Sequence, residues 1–429
     1  MTKCAYCGND VTPNDKAVLY CKDGCYRTLF LCTCGSANRT TALYCRSCGK
    51  EISYSDAENR LIKSLRISDL SFEKPLFELP YAQFGISQVE DLPRIYFSHG
   101  FMFLLLKTGE IIVLNCSNGE IQANIELTGG ELSVLPIEIS DKKSKSLFAF
   151  TACEIHKIDL IRDFSHELIL SVSQDSVKVA HQPLYIDRNF FLSLWDGKNT
   201  QLKLVSLDGE HKDLLSVEGR ISQPVRVKNK IFFYTQDEVF VYNHTERNVS
   251  FRDSNRHGFR IDIEPKGDDS RAYVLADEER LYRINLDGDV PESLGLPLPQ
   301  LMQVSFEVSI CSSVNPLGEP RRRNENGLIL IAHSGGVLVT NVLGQTEWSS
   351  DELFNIYPAY KFPPIVYGSY IGFVMSYPNT EALQVVNSST YKQAGSCLGN
   401  FVLRPAFYAG HLYAVVEEGE DIIMRAYLL

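Results

Sequence analysis

The chain has no long apolar run, no cationic excess and very little tryptophan, and each shortage excludes something. Its longest apolar stretches, such as residues 101–106, are far too short to cross a bilayer as a helix. The N-terminus shows no basic segment followed by an apolar core, so no secretory signal is expected and the protein reads as soluble and cytoplasmic. Against 53 Asp and Glu stand 42 Lys and Arg, a net charge of −11. No overall positive field therefore draws the chain to nucleic acid or to an anionic membrane. G-x-x-x-x-G-K-[ST], G-x-G-x-x-G, G-x-S-x-G and H-E-x-x-H are all missing. The nine histidines are dispersed, with none before His99. The carboxylate pairs Asp268-Asp269 and Glu417-Glu418 lie in polar turns, where solvation accounts for them better than acid–base work. No catalytic residue, organic cofactor or small-molecule substrate is expected. What remains, 44% hydrophobic and 22% charged, is ordinary globular composition for 429 residues.

Cysteine is where the chain is rich. Eight of its 12 cysteines fall before residue 50, as four close pairs: Cys4/Cys7, Cys21/Cys25, Cys32/Cys34 and Cys45/Cys48. Two thiolates across a tight turn can grip one metal ion together, and two such pairs complete a tetrahedral Cys₄ site. Cys4-Ala-Tyr-Cys7-Gly8 and Cys45-Arg-Ser-Cys48-Gly49 have the form of zinc knuckles, with a Gly free to take the positive φ that turns backbone N–H groups toward sulfur. Cys21 and Cys25 are one residue further apart, and Cys32 and Cys34 one residue closer. Sequential ligation gives sites Cys4/Cys7/Cys21/Cys25 and Cys32/Cys34/Cys45/Cys48; an interleaved cross-brace, joining the first pair to the third, is the alternative. A disulfide framework does not suit a chain without export features. Either ligation closes the coordination sphere, so the expected cofactors are two structural Zn²⁺, which supply folding free energy that fifty residues cannot gain by burial alone. Cys116, Cys153, Cys311 and Cys397 stand singly and read as small buried hydrophobes.

The stretch Cys32-Thr-Cys34-Gly-Ser-Ala-Asn…Tyr44-Cys45-Arg-Ser-Cys48-Gly-Lys-Glu-Ile resembles the second half of a double zinc ribbon, over residues 1–52. The resemblance favours sequential sites and implies a small binding module without catalytic activity, used for proteins or nucleic acid. Seven Lys and Arg against three Asp give residues 1–50 a charge of +4, which eight thiolates and two Zn²⁺ bring close to zero. Ser55-Asp-Ala-Glu58 then has capping-box form, and with Leu61 and Leu65 it predicts a short linker helix over 55–66, within a linker of 53–69.

From residue 93 onward one pattern recurs. Paired apolar runs, such as 101–106 with 111–114 or 231–234 with 239–242, are followed by turns of the type Asn118-Gly119, Asp208-Gly209 and Asp287-Gly288. The spacing suggests repeats of about 40–45 residues. Unbroken apolar runs mark strands covered on both faces, whereas a strand with one wet face alternates. An all-β architecture of face-to-face blades, a β-propeller over residues 70–429, satisfies this with only short edges. Hairpin centres near 106, 151, 193, 236, 277, 333, 376 and 415 predict eight blades, with seven as the alternative. The last lacks a fourth strand, and residues 70–79 are the obvious donor. The strand–Leu-Asp-Gly-Glu–strand pattern resembles the quinoprotein-like propellers, but their quinone enzymes stack cofactor on Trp, and only two Trp occur here.

The functional expectation is a scaffold that docks other proteins on its propeller and its ribbons. Nucleic-acid binding through Lys3, Lys16, Lys22, Arg27, Arg39, Arg46 and Lys50 is the alternative, and a cross-brace, ubiquitin-ligase-like domain a third reading. Arg321, Arg322 and Arg323, in an insertion of the sixth repeat, form a local cationic spot that could contact an acidic partner.

Overall fold

In the computed structural model, the residues described are 2–12, 18–21, 28–52, 72, 74–140, 144–171, 177–227, 230–235, 239–243, 248–253, 260–263, 271–276, 280–285, 291–297, 307–311, 328–333, 336–341, 346–349, 359–360, 362, 365–367, 370–377, 380–387, 390 and 392–429. The expected helix over 55–66 lies outside them, as do Arg321, Arg322, Arg323 and Cys25. Among the described residues the chain is all β, apart from two short 3₁₀ turns at Tyr81–Phe84 and Val89–Asp91. No helix there is long and apolar enough to cross a membrane.

After the cysteine segment, strands gather in chain order into antiparallel sheets of four or five. The first runs from Arg94 to Glu126, the second from Ile137 to Ser171 and the third from Lys178 to Glu218. Five more follow among the described residues, and the last holds His411–Glu418 and Asp421–Leu428. Its outer position is taken by Phe77–Pro80, which pairs antiparallel with the 421–428 strand through Met424↔Leu79 and Arg425↔Glu78. Two compact units result, one chiefly of Met1–Leu168 and Ile365–Leu429, the other chiefly of Ile169–Val314 and Glu319–Pro364.

Why the apolar runs are unbroken is visible in the first sheet. Met102, Leu104, Ile112 and Leu114 pack with Leu79, Tyr413, Val415 and Met424 of the last sheet. Their immediate neighbours Phe103, Leu105, Ile111 and Val113 point the other way, onto Leu147, Ala149 and Ile158 of the second sheet. Both faces of one strand are therefore core, and side chains of opposite parity feed different clusters. Outer strands read differently: His166–Ser171 is mostly exposed, and polar residues are tolerated there. In the other unit the same layering joins Phe191 and Leu202 to Phe233 and Phe240.

The single cysteines behave as small apolar residues where their side chains are described: Cys116 and Cys397 are buried, and Cys153 is half-buried. Glu417 and Glu418, expected in a polar turn, instead end the His411–Glu418 strand, where Glu418 is held by Arg425 at 2.8 Å, which also reaches Glu78 at 2.7 Å.

Candidate metal centres and their seat on the sheets

Three of the four cysteine pairs lie wholly among the described residues, and each sits on a turn whose backbone explains its spacing. In the first knuckle Cys4 N–H donates to Asn9 O and Gly8 N–H donates back to Cys4 O; Cys45, Lys50 and Gly49 repeat the arrangement. The shorter Cys32-Thr-Cys34 pair uses the same two bonds contracted by one residue, Cys32 N–H to Ser36 O and Gly35 N–H to Cys32 O. Gly8, Gly35 and Gly49 have φ of 78°, 84° and 70°, the left-handed region that a side chain resists. The one-residue spacing is thus a tighter version of the same turn.

These turns assemble two clusters in sequential order. Cys32, Cys34, Cys45 and Cys48 bring all four Sγ atoms within 4.8 Å of one another, and so do Cys4, Cys7 and Cys21. Sulfur separations are 3.7 Å for Cys32–Cys48, 3.6 Å for Cys34–Cys45 and 3.7 Å for Cys7–Cys21. A tetrahedron with metal–sulfur bonds of about 2.3 Å has an edge of about 3.8 Å, whereas a disulfide would need about 2.05 Å. The clusters are shaped for a metal ion, and the grouping is sequential rather than interleaved.

The donor chemistry agrees. Burial alone would raise the Cys45 thiol, but N–H groups of Cys48 and Ser47 and the Asn38 amide outweigh it and draw it down to about 6. At Cys34 the Ser36 N–H acts downward, yet desolvation and the neighbouring sulfurs of Cys48, Cys45 and Cys32 win and push it up to about 12. Four thiols in so small a volume cannot all ionise by themselves; a divalent cation removes that conflict.

Asn38 ties the second cluster together. Buried, it donates Nδ2–H to Ser36 O at 2.9 Å and to Cys45 Sγ at 3.5 Å, and accepts Arg46 N–H on Oδ1 at 2.9 Å. Asn38→Ala takes the side-chain acceptor from the Arg46 N–H and one donor each from Ser36 O and Cys45 Sγ, and we expect a loss of about 1–3 kcal/mol. A lowered melting midpoint and faster zinc transfer to a chromogenic chelator from the full-length variant will check it.

Between the clusters lies a three-stranded sheet, Val18–Tyr20, Thr28–Leu31 and Ala37–Arg39. Leu29 and Ala37 pack with Val11 and with Cys4 and Cys21 of the first cluster. The opposite side does not face water. Phe30, Cys32, Cys45 and Ile52 share one continuous core with Leu79, Met102, Leu104 and Tyr413 of the sheets. Although the expected linker of 53–69 separates the two in sequence, residues 28–52 are seated directly on the first and last sheets.

Polar contacts pin that seat. Thr40 Oγ1 donates to His99 O, and Lys145 Nζ donates to Ala42 O at 3.0 Å and to Thr40 O at 3.4 Å. Lys145 is only 3% exposed, and burial draws it down to about 8 against the opposing pull of Glu138 and Glu51. Nearby, Ser98 Oγ donates to Glu138 Oε2 at 2.6 Å, and Ser140 Oγ donates to Oε1 at 3.0 Å. Burial would raise Glu138, but hydrogen bonds from His99, Ser98 and Ser140 reverse this and hold it at about 2, below the ordinary 4.5. A carboxylate lowered this way contributes stability that is full above pH 4.5 and lost toward pH 2. None of Thr40, Ser98, His99, Glu138 or Lys145 carries a motif; the one hint in sequence is a lysine opening the apolar run 145–150.

Several basic residues of the segment are engaged internally. Lys3 pairs with Asp10 at 2.9 Å, Arg39 lies 5.0 Å over the Tyr6 ring, and Arg46 donates to Lys3 O. Lys16, Lys22 and Arg27 lie outside the described residues.

No family model and no curated protein matches this sequence. Solved structures do. BamB from Moraxella catarrhalis aligns over 83% of this chain and 99% of its own, with a TM-score of 0.51 at 10% identity. The computationally designed protein Ika8 aligns over 78% of this chain and 96% of its own, with a TM-score of 0.52 at 10% identity. Saccharomyces cerevisiae Sqt1 aligns over 79% of this chain and 94% of its own, with a TM-score of 0.50 at 10% identity. At such identity the likeness is one of fold alone, and that fold is the β-propeller.

Proposed function

We propose that the protein is a non-enzymatic interaction scaffold of the cytoplasm, an eight-bladed, quinoprotein-like propeller over residues 70–429 that carries a double zinc ribbon over residues 1–52, joined by a linker at 53–69. The 77–80 strand closes the ring in this reading. One Zn²⁺ is held by Cys32, Cys34, Cys45 and Cys48, and the other by Cys4, Cys7 and Cys21 with Cys25 as fourth ligand. Both ions are structural, since four thiolates leave no position open for water.

One observation carries the reading: the second cysteine cluster is built into the core of the neighbouring sheets. Two recognition elements held at fixed spacing raise the effective concentration of one partner once the other is bound, and pay less ordering entropy than two modules on a loose cord. The propeller fold shared with these neighbours offers a broad, rigid, loop-lined surface suited to protein partners. Arg321, Arg322 and Arg323 offer a further contact for an acidic partner surface.

The nucleic-acid reading is weaker because Lys3, Arg39 and Arg46 are occupied within the segment. Filter binding of the full-length protein to single- and double-stranded DNA and RNA, across 50–300 mM salt, separates the two. The scaffold reading expects no retention at any salt. Tight retention that falls steeply with log salt overturns it.

A further inference from the structure

Two successive sheet junctions in the first unit are fastened by a tyrosine hydroxyl. Tyr367 and Tyr408 are each the last paired residue of their strand, in register with Tyr370 and His411. The Tyr367 hydroxyl accepts the N–H of Gly410, in the next sheet's turn, at 3.0 Å. The Tyr408 hydroxyl accepts the N–H of Gly100, in the first sheet's turn, also at 3.0 Å. The two receiving turns match: Ala409 and Gly410 have φ of 49° and 78°, His99 and Gly100 have 50° and 79°. Both have positive φ at the two central residues, as a type I′ hairpin requires.

At the next junction the pattern breaks. The register position of Tyr408 in the first sheet is Ser98, paired with Phe101. Its hydroxyl is far shorter than a tyrosine's and reaches Glu138 of the second sheet. The position of His411 in the second sheet is Lys145, paired with Ser140. Across this junction lies the segment Thr40 to Ala42, with Thr40 Oγ1 on the turn carbonyl of His99 and Lys145 Nζ on the carbonyls of Thr40 and Ala42. The segment therefore touches one sheet through a hydroxyl and the other through a buried ammonium. It runs between Cys34 and Cys45, so four thiolates on one ion would fix both of its ends.

We propose that the Thr40–Ala42 segment replaces the tyrosine fastener at the junction of the first and second sheets, and that metal in the Cys32/Cys34/Cys45/Cys48 cluster sets it in place, so that losing the ion loosens this junction selectively. The inference rests on the metal reading of that cluster. Coupling of this kind is reciprocal: whatever weakens the fastener releases the ion more easily by the same factor.

Elemental analysis of the full-length protein comes first, then hydrogen exchange read by mass spectrometry with and without a strong chelator. Amides of 137–150 are expected to exchange about tenfold faster after zinc removal, while those of 406–418, under the tyrosine fasteners, keep their rate. Lys145→Met reproduces the acceleration at 137–150 with both ions still bound, and gives up zinc to the chelator about tenfold faster. Thr40→Val, which removes one hydroxyl and leaves the fold intact, shifts both readouts in the same direction. Tyr408→Phe speeds exchange at 94–105 whether or not metal is present. A chain with fewer than two zinc ions fails the metal reading, and this inference with it. A chain with two ions whose 137–150 amides ignore both the chelator and Lys145→Met leaves the metal reading standing and overturns the fastener.

Discussion

Cys45→Ser is expected to lower the zinc content of the purified full-length protein from two ions to one, and to expose apolar surface of the sheets as it does so. The Cys45 sulfur lies 3.6 Å from that of Cys34 and accepts the Asn38 amide, so a serine oxygen there, on a shorter bond, removes a thiolate ligand and loosens the contact with Asn38. Structural zinc in small domains supplies on the order of 10–16 kcal/mol of apparent binding free energy, and a share of it goes with each thiolate removed. Because Cys32 and Cys45 share a core cluster with Met102 and Leu104 of the first sheet, side chains beyond the ribbon are uncovered, while the backbone pairing of 406–418 holds. Increased binding of a hydrophobic dye should accompany the missing ion. Cys32→Ser must do the same, since the contracted turn places its sulfur 3.7 Å from Cys48. Cys153→Ser, outside both clusters, keeps two ions. Retention of both ions in Cys32→Ser would remove Cys32 from the ligand set and with it the closed Cys₄ site.

The second large effect is expected at the strand far from its partner in sequence. Leu79 is buried, pairs with Met424 and belongs to the same core as the first and last sheets. Leu79→Asp loses the apolar contact and places an uncompensated carboxylate against that core, a cost of about 4 kcal/mol or more. It also weakens the pairing that covers residues 423–426, leaving an edge able to template association with another chain. Glu78→Ala is the contrast. Glu78 is half exposed and its pairing with Arg425 is shared with Glu418, so its removal should cost no more than about 1 kcal/mol. Thermal unfolding followed by light scattering distinguishes them. Equal midpoints for the two variants would show that the 77–80 strand is dispensable to the last sheet, against the closed-ring reading.

Much of this architecture was legible in the order of residues. Strands covered on both faces leave unbroken apolar runs, and the doubled run with a short polar turn marks each hairpin, as residues 101–105 with 110–115 illustrate. The stretch offered as a donor strand includes Phe77, Glu78 and Leu79, which lie beside the 421–428 strand. The close cysteine pairs marked the candidate ligands, and the resemblance to a double zinc ribbon favoured grouping Cys32 with Cys34, Cys45 and Cys48 over a cross-brace, although the contracted turn could not be recognised until its hydrogen bonds were seen. The seat of the cysteine segment was not legible at all. His99 and Lys145 lie 59 and 105 positions beyond Thr40 along the chain. Each looks ordinary in its own neighbourhood, because a threonine in a turn or a lysine at a strand start needs no explanation. Only the folded register, with Ser98 where Tyr367 and Tyr408 stand elsewhere, shows that something must fill the gap.

The pairing of Glu78 with Arg425 has a bearing on how the chain is made. These two residues are 347 positions apart. At roughly 5–20 residues per second, a ribosome needs about 20–70 s to travel from one to the other. Through that interval the early strand waits without its neighbour, next to a cysteine segment that can already take up zinc. Early metallation would hold the waiting strand's apolar face against Phe30 and Ile52 instead of leaving it open to a neighbouring nascent chain.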